Sequence, residues 1–174
     1  MTYADPRAVQ EIVLLAGGTI VGRTKLQKCA CALELTGLGY GFPFTYKHFG
    51  PYSEDLKLAC NDADALGLVC EQRRRANWGG EYSVFVAHGD HVDEDDSKRA
   101  SRQALLKKMI EADSVTLELA ITAAYLAAKS VRTPWEVVQE RKEDKATPRA
   151  LERARALYRD LLKVRTPVSL PEIV

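Results

Sequence analysis

The stretch between residues 47 and 69, KHFGPYSEDLKLACNDADALGLV, places the strongest constraint on the fold of this chain. Gly50-Pro51 interrupts regular structure, because proline has a fixed φ and no backbone N–H. Ser53 is a good helix N-cap, since its hydroxyl can accept a hydrogen bond from a free N–H one turn on. Gly67 then ends the helix, because a left-handed C-terminal cap suits a residue without a Cβ. The stretch therefore predicts a capped helix that leads directly into a strand.

The predicted helix is amphipathic and acidic. Its apolar residues recur at three- and four-residue steps, which places them on one stripe of the helix. These residues are Leu56, Ala59, Cys60, Ala63 and Leu66. Its charged residues are Glu54, Asp55, Asp62 and Asp64, with Lys57 as the one cation. A capped helix, a glycine stop and a strand are typical of the second half of a winged helix-turn-helix.

Two further helices are predicted before this stretch. The first runs from Pro6 to Gly17, with Asp5 as its cap. Thr24 and Gln27 have the spacing of a capping box, which predicts that the second helix begins at Lys25. Three cations gather at that start and are candidates for holding a backbone phosphate: Arg23, Lys25 and Lys28.

A β-hairpin is predicted after the acidic helix, in the position of a wing. Two short strand patterns lie at residues 68–74 and 81–86, and Asn-Trp-Gly-Gly at 77–80 predicts the turn between them. The candidate nucleic-acid contacts on this hairpin are Arg73, Arg74, Arg75 and Trp78. Such a tip could reach into a minor groove. The alternative is a solvated surface on which the indole packs against arginine stems.

Residues 38–49 are rich in glycine and aromatic residues. Aromatic side chains alternate along this segment, which predicts a strand-like stretch with one aromatic face. The candidate partner-binding residues are Tyr40, Phe42, Phe44, Tyr46 and, just beyond the segment, Tyr52. Aromatic residues are over-represented at binding hot spots. The alternative is that these side chains fill the core.

Three motifs together resemble a known family. GRTKLQK, then FGPYSEDL, then ALGLV before a hairpin, are similar to the pattern of the YwgA-like proteins and the related Panacea (SocA-type) antitoxin domain. The resemblance runs from about Val13 to Val86 and departs at the end of the hairpin, where EYSVFVAHGD replaces a Leu-Thr-rich ending. It implies a winged helix with extra helices. It also implies a protein that binds and neutralises a partner toxin, as some members of that family do.

A polar run at residues 88–96, HGDHVDEDD, has no apolar periodicity. It predicts a solvated linker between a winged-helix domain at 1–92 and a helical region at 93–174. The alternative to a linker is a metal site built from His88, His91 and the neighbouring acids. It is disfavoured, because a flexible loop of hard acids and imidazoles gives no fixed geometry.

The C-terminal half carries helical patterns over residues 97–164. Asp113 or Ser114 caps a helix whose apolar surface is wide, so this helix is expected at the buried centre of that half. Thr133 and Thr147, each followed by proline, mark two further helix starts with a hydroxyl cap. The predicted fold class is mainly α: a winged helix-turn-helix with a small β-hairpin wing, followed by a C-terminal helical region.

Composition narrows the function classes. The chain has 174 residues, 46% of them hydrophobic, and a formal net charge of +1, so no bulk basic signal for nucleic acid is present. No apolar run approaches the ~20 residues that span a bilayer, and the N-terminus lacks the apolar core of a secretory signal. We therefore expect a cytoplasmic protein without membrane association.

The cysteines predict no metal site. Cys29, Cys31, Cys60 and Cys70 contain no CxxC pair, and no histidine pair has finger spacing. They are expected to be small buried hydrophobes in a reducing compartment. Redox sensing by Cys29 or Cys31 is the alternative. We predict no metal and no cofactor.

Two function classes remain after these steps. The helix that would enter a major groove carries four carboxylates and is repelled by phosphates, which disfavours DNA binding through it. We therefore predict a non-enzymatic, antitoxin-like module whose partner is a protein, such as a cognate toxin. The alternative is a DNA-binding transcriptional regulator that uses the arginine wing and forms a homodimer through its C-terminal helices. No nucleophile elbow, phosphate loop or paired catalytic motif supports an enzyme.

Overall fold

The computed structural model describes residues 5–48, 50–90 and 96–174. Within them, the first half combines helices with short strands, and the second half is helical. In chain order the elements are α1 Pro6–Leu15, β1 Thr19–Val21, α2 Arg23–Leu35, β2 Thr45–Lys47, β3 Gly50–Tyr52, α3 Glu54–Ala65, β4 Val69–Arg75, β5 Glu81–Ala87, α4 Arg99–Glu111, α5 Ser114–Ala128, α6 Pro134–Arg141 and α7 Pro148–Leu162. The prediction of a mainly α protein is confirmed.

The predicted hairpin after the acidic helix is present as β4 and β5. These strands pair antiparallel, with Arg73 opposite Ser83 and Arg75 opposite Glu81. β1 adds a third strand on the other side of β5, with Ile20 opposite Phe85. Ile20 and Phe85 are both buried, so this pair fixes the register of the sheet against the helices. The predicted domain boundary between residues 92 and 93 lies outside the described residues.

The predicted start and stop of α3 are confirmed. The Ser53 hydroxyl accepts a hydrogen bond from the Leu56 N–H at 3.2 Å, and Gly67 has a φ of +71° just after the helix. Four residues of the predicted apolar stripe are buried, but Leu66 is 65% exposed. Leu66 is the C-cap of α3, so the helix ends at this residue and its side chain does not reach the core. Its assignment to the buried stripe was wrong.

The predicted capping box of α2 is also wrong. The helix begins at Arg23, and its N-cap is Gly22, which contributes no side-chain hydrogen bond. Gln27 does not cap α2, because its side-chain amide hydrogen-bonds to both backbone polar groups of Ser53. Its Nε2 donates to the Ser53 carbonyl at 2.9 Å, and its Oε1 accepts from the Ser53 N–H at 2.8 Å. This buried amide therefore couples α2 to the start of α3.

The aromatic segment forms a strand only at β2. Residues 38–44 are irregular because Glu34 organises them, and its Oε1 accepts hydrogen bonds from the N–H groups of residues 40, 41 and 42 at 2.8, 2.8 and 2.9 Å. A Cβ at Gly39 would lie 2.1 Å from the Glu34 carboxyl carbon. Residues 38–44 therefore form a loop around the Glu34 carboxylate, and not the predicted strand with one aromatic face.

α5 lies at the centre of the C-terminal half, as predicted. Its residues 116–126 are buried, and it packs against α2, α6 and α7. Asp113 and Thr147 cap α5 and α7 as predicted, through the N–H groups of Thr116 and Ala150. The Thr133 hydroxyl makes no cap hydrogen bond, so that part of the prediction was wrong. The apolar side chains of both halves form one continuous core.

We expect Ser53→Ala to lower the free energy of unfolding by about 1 kcal/mol, because the first turn of α3 loses its side-chain acceptor. Thr133→Ala is the matched control, since it removes a hydroxyl at a helix N-cap that makes no cap hydrogen bond. Urea unfolding of both variants measures the difference. Equal stability losses in the two variants would contradict the role assigned to the Ser53 cap.

Candidate functional site

The exposed face of α3 combines leucines with carboxylates. Leu58 is 54% exposed and Leu66 is 65% exposed. Leu58, Asp62 and Leu66 follow one another at four-residue steps, so they lie along one side of the helix. Isolated exposed leucines are ordinary, but two on one helical line form a small apolar ridge. We call the surface formed by Glu54, Leu58, Asp62 and Leu66 the α3 face.

The carboxylates of the α3 face keep it acidic. Glu54 contacts Lys57 at 3.3 Å and Lys47 at 3.5 Å, and its hydrogen bond with Lys57 holds the pKa of this carboxyl below its usual value. Both ion pairs are half exposed, so their strength is small. Asp64 accepts a hydrogen bond from the Glu71 N–H at 3.0 Å. Four carboxylates and one ammonium on α3 thus remain at the surface or partly exposed.

The apolar part of this surface was missed from the sequence alone. Leu58 falls outside the apolar stripe by its spacing, and an apolar residue on the polar side of an amphipathic helix was the available signal. Leu66 was placed inside the stripe, and only the position of the helix end reveals that it is exposed.

Three arginines of the β4–β5 hairpin project from β4 into solvent. Arg73, Arg74 and Arg75 are all exposed, and Arg74 donates to the Gln72 side chain at 2.8 Å. Trp78 at the tip is 79% exposed. Its ring lies over Gly80, where an added Cβ would be 1.6 Å from the indole. The β4–β5 hairpin therefore presents an aromatic face together with guanidinium groups.

The cations predicted at the start of α2 lie in different environments. Arg23 pairs with Glu71 at 2.6 Å. The Lys25 ammonium donates to the Ala112 carbonyl at 2.8 Å and so binds the C-terminal end of α4. Lys28 is 1% exposed and donates to the Pro51 carbonyl at 2.8 Å. Burial lowers the pKa of Lys28 to about 8.

One surface groove of about 450 Å³ brings together Arg23, Lys25 and Arg73. Lys28 is absent from its lining, because this lysine points inward to β3. The groove also borders Ser114 at the start of α5. A phosphate in this groove could therefore contact Arg23, Lys25 and Arg73 but not Lys28.

The candidate partner-binding aromatic residues are mostly packed against the protein. Phe42 is 5% exposed, and Tyr40 and Phe44 pack against the core. The Arg102 guanidinium lies 4.3 Å from the centre of the Tyr40 ring. Tyr46 and Tyr52 are half-buried, and each carries a cation over its ring: Arg141 at 4.8 Å and Lys47 at 4.7 Å. Phe42 and Phe44 line one pocket beside α5, and the other three rings are not part of its lining.

A buried ionic cluster joins α5 to the connection between α6 and α7. Glu118 on α5 is 3% exposed and contacts the ammonium of Lys142 at 2.6 Å and that of Lys145 at 3.0 Å. Glu118 is close enough to Lys28 to favour its charged form. Glu118 and Lys142 lie inside the fold and Lys145 is partly exposed, so the cluster holds the α6–α7 connection against α5.

The cysteines offer little reactivity. Burial raises the pKa of Cys29, Cys31 and Cys60 to about 12, so these thiols stay protonated at neutral pH. Cys70 is partly buried. Across the described residues, no group of three or more metal-ligating side chains is placed to hold an ion. His91, one of the candidate metal ligands in the polar run at residues 88–96, lies outside the described residues.

No family model matches the chain, and no curated protein is significantly similar to it. Within 5–48, 50–90 and 96–174, every helix is too short or too polar to cross a bilayer.

Proposed function

We propose that α1, β1, α2, α3 and the β4–β5 hairpin form a winged helix-turn-helix. The order of these elements and the sheet order β1-β5-β4 support this assignment. In that arrangement α3 holds the position of the groove-reading helix, and the β4–β5 hairpin is the wing. The C-terminal helices α4 to α7 extend the same core.

We further propose that the chain is a non-enzymatic, antitoxin-like module that binds and neutralises a protein partner through the α3 face. The observation that carries this proposal is the exposure of Leu58 and Leu66 beside the carboxylates of α3. Such a ridge matches a partner surface with an apolar pocket and basic side chains around it. The resemblance of the N-terminal motifs to antitoxin domains supports the same class.

DNA is a poor occupant for this face. Neutralisation of phosphates by lysine and arginine supplies most of the nonspecific affinity of DNA-binding proteins. α3 carries Lys57 as its one cation, and that ammonium already contacts Glu54 at 3.3 Å. A phosphate brought against this helix would meet carboxylates, so binding there is unfavourable.

The experiment uses the reading frames that flank the gene. Each is expressed alone and together with the full chain, and growth is followed. We expect one flanking product to arrest growth and the chain to relieve the arrest while forming a complex that survives nuclease treatment. A chain that relieves no arrest and forms no complex with either product would overturn the proposal.

DNA binding through the wing is the second candidate function. The observation that favours it is the grouping of exposed Arg73, Arg74, Arg75 and Trp78 on one hairpin, next to the groove that also holds Arg23. A wing of this composition can contact a minor groove without using α3. Antitoxin-like proteins can combine both activities, so the two candidates are compatible.

If the wing binds DNA, replacing the three wing arginines with glutamine should weaken binding to fragments of the chain's own locus. The slope of log K against log salt should fall by about 0.9 for each phosphate that the variant no longer neutralises. A triple glutamine variant at Arg149, Arg153 and Arg159, which are exposed on α7, is the control. Equal losses of affinity in both variants, or no binding by the parent chain at low salt, would remove the second candidate.

A further inference from the structure

A pocket of about 280 Å³ lies between α2, α3 and the sheet. Its floor is apolar and rigid: Leu26, Leu56 and Phe85 are each at most 2% exposed. Gln27 is held beside them by its two hydrogen bonds to Ser53. Ligand sites combine such a floor with a few converging polar groups, and drug-sized ligands use about 300–1,000 Å³. This volume therefore suits a smaller molecule.

The rim of the pocket is rich in donors. It carries Arg23, Lys57, Asn61 and Tyr52, with Glu71 as the one carboxylate among its lining residues. Oε1 of Glu71 already accepts from the Arg23 Nε at 2.8 Å and from the Ser83 hydroxyl at 2.7 Å. Both hydrogen bonds reach the same oxygen, and the charge of this carboxylate is compensated by one guanidinium.

Several rim donors remain available. Arg23 uses Nε and Nη2 for Glu71, which leaves Nη1 for another acceptor. The Lys57 ammonium has a half-exposed contact with Glu54 at 3.3 Å, a kind of pair that contributes little stability and exchanges easily. Within the part of the chain that the structure describes, the side-chain amide of Asn61 makes no hydrogen bond. The net charge of the lining is positive.

We propose that this pocket binds a small organic carboxylate with an apolar body. The carboxylate would lie between Arg23 and Lys57 at the rim, with the Asn61 amide as a further donor, and the body would cover Leu26 and Phe85. A cationic ligand would meet two cations, and a purely inorganic anion would contact the rim donors without filling the space above the apolar floor. The thiol of Cys60 contributes packing and no reaction, because burial raises its pKa to about 12.

This site goes beyond the proposed protein binding and can be tested without a partner. The probes share one aromatic body and differ in charge: phenylacetate, phenethylamine and 2-phenylethanol, with inorganic phosphate as a fourth. Backbone amide chemical shifts of the full chain are followed during titration. We expect saturable shifts at residues 56–61 and at Glu71 with phenylacetate, and affinities at least about tenfold weaker for the other three.

Variants at the rim complete the experiment. Lys57→Gln should weaken phenylacetate binding about tenfold or more, whereas Lys57→Arg should retain it. Lys163→Gln at the C-cap of α7 is the control, because it removes another exposed lysine that pairs with an acid at 3.0 Å. No saturable shifts with phenylacetate, shifts that map elsewhere, or equal affinity for phenethylamine would overturn the proposal.

Discussion

Glu118→Gln is expected to lower the free energy of unfolding by about 3–5 kcal/mol, because it removes the charge that compensates a buried lysine. Lys142 is 4% exposed, and its ammonium contacts Glu118 at 2.6 Å. The neutral amide leaves that ammonium without a counter-charge in a medium where charges are poorly solvated. Urea unfolding at neutral pH measures the loss.

Two control variants separate burial from charge pairing. Asp160→Asn removes a carboxylate that pairs with Lys163 at 3.0 Å on the surface, and it should change stability by less than about 0.5 kcal/mol. The double variant Glu118→Leu with Lys142→Met removes both charges, and it should recover most of the stability lost in Glu118→Gln. A loss below about 1 kcal/mol in Glu118→Gln would contradict the role of this cluster.

The local signals in the sequence predicted the helix boundaries well where a single residue decides them. Ser53, Gly67 and Thr147 act through their own hydroxyl group or backbone conformation, and the structure places each as expected. The capping box failed because the Gln27 side chain found a tertiary acceptor and donor at Ser53. Tertiary hydrogen bonds of this kind leave no periodic pattern in the sequence.

Charged residues were harder to place than apolar ones. Lys28 stood with Arg23 and Lys25 in the sequence as a surface cation, but α2 turns it inward to the Pro51 carbonyl. Its position on the helix is one turn beyond Thr24, and nothing local distinguishes a buried lysine from an exposed one. The loop at residues 38–44 was not predicted either. The carboxylate that shapes it belongs to Glu34 on the preceding helix, and nothing local in the sequence indicates that contact.

Leu58→Asp is expected to weaken binding to the protein partner by at least about 30-fold, which corresponds to about 2 kcal/mol. Leu58 lies at the middle of the α3 face and is 54% exposed, so a carboxylate there would replace an apolar anchor. The variant should fold normally, because exposed substitutions usually change stability by less than about 0.5 kcal/mol. Calorimetric titration against the flanking-frame product that forms the complex measures the affinity.

Val168→Asp is the matched control for that substitution. Val168 is also 54% exposed, and it lies after α7, away from the α3 face. We expect its affinity for the partner to equal that of the parent chain. Unchanged affinity in Leu58→Asp, or an equal loss in Val168→Asp, would show that the partner does not dock on α3.

Photo-crosslinking from position 58 of the full chain in its native cells tests the central claim most directly. A photoreactive amino acid replaces Leu58, and a second variant carries it in place of Trp78 for comparison. We expect position 58 to form a nuclease-resistant adduct with a protein, because the α3 face is the proposed docking surface. An adduct with nucleic acid at position 58 would contradict that claim.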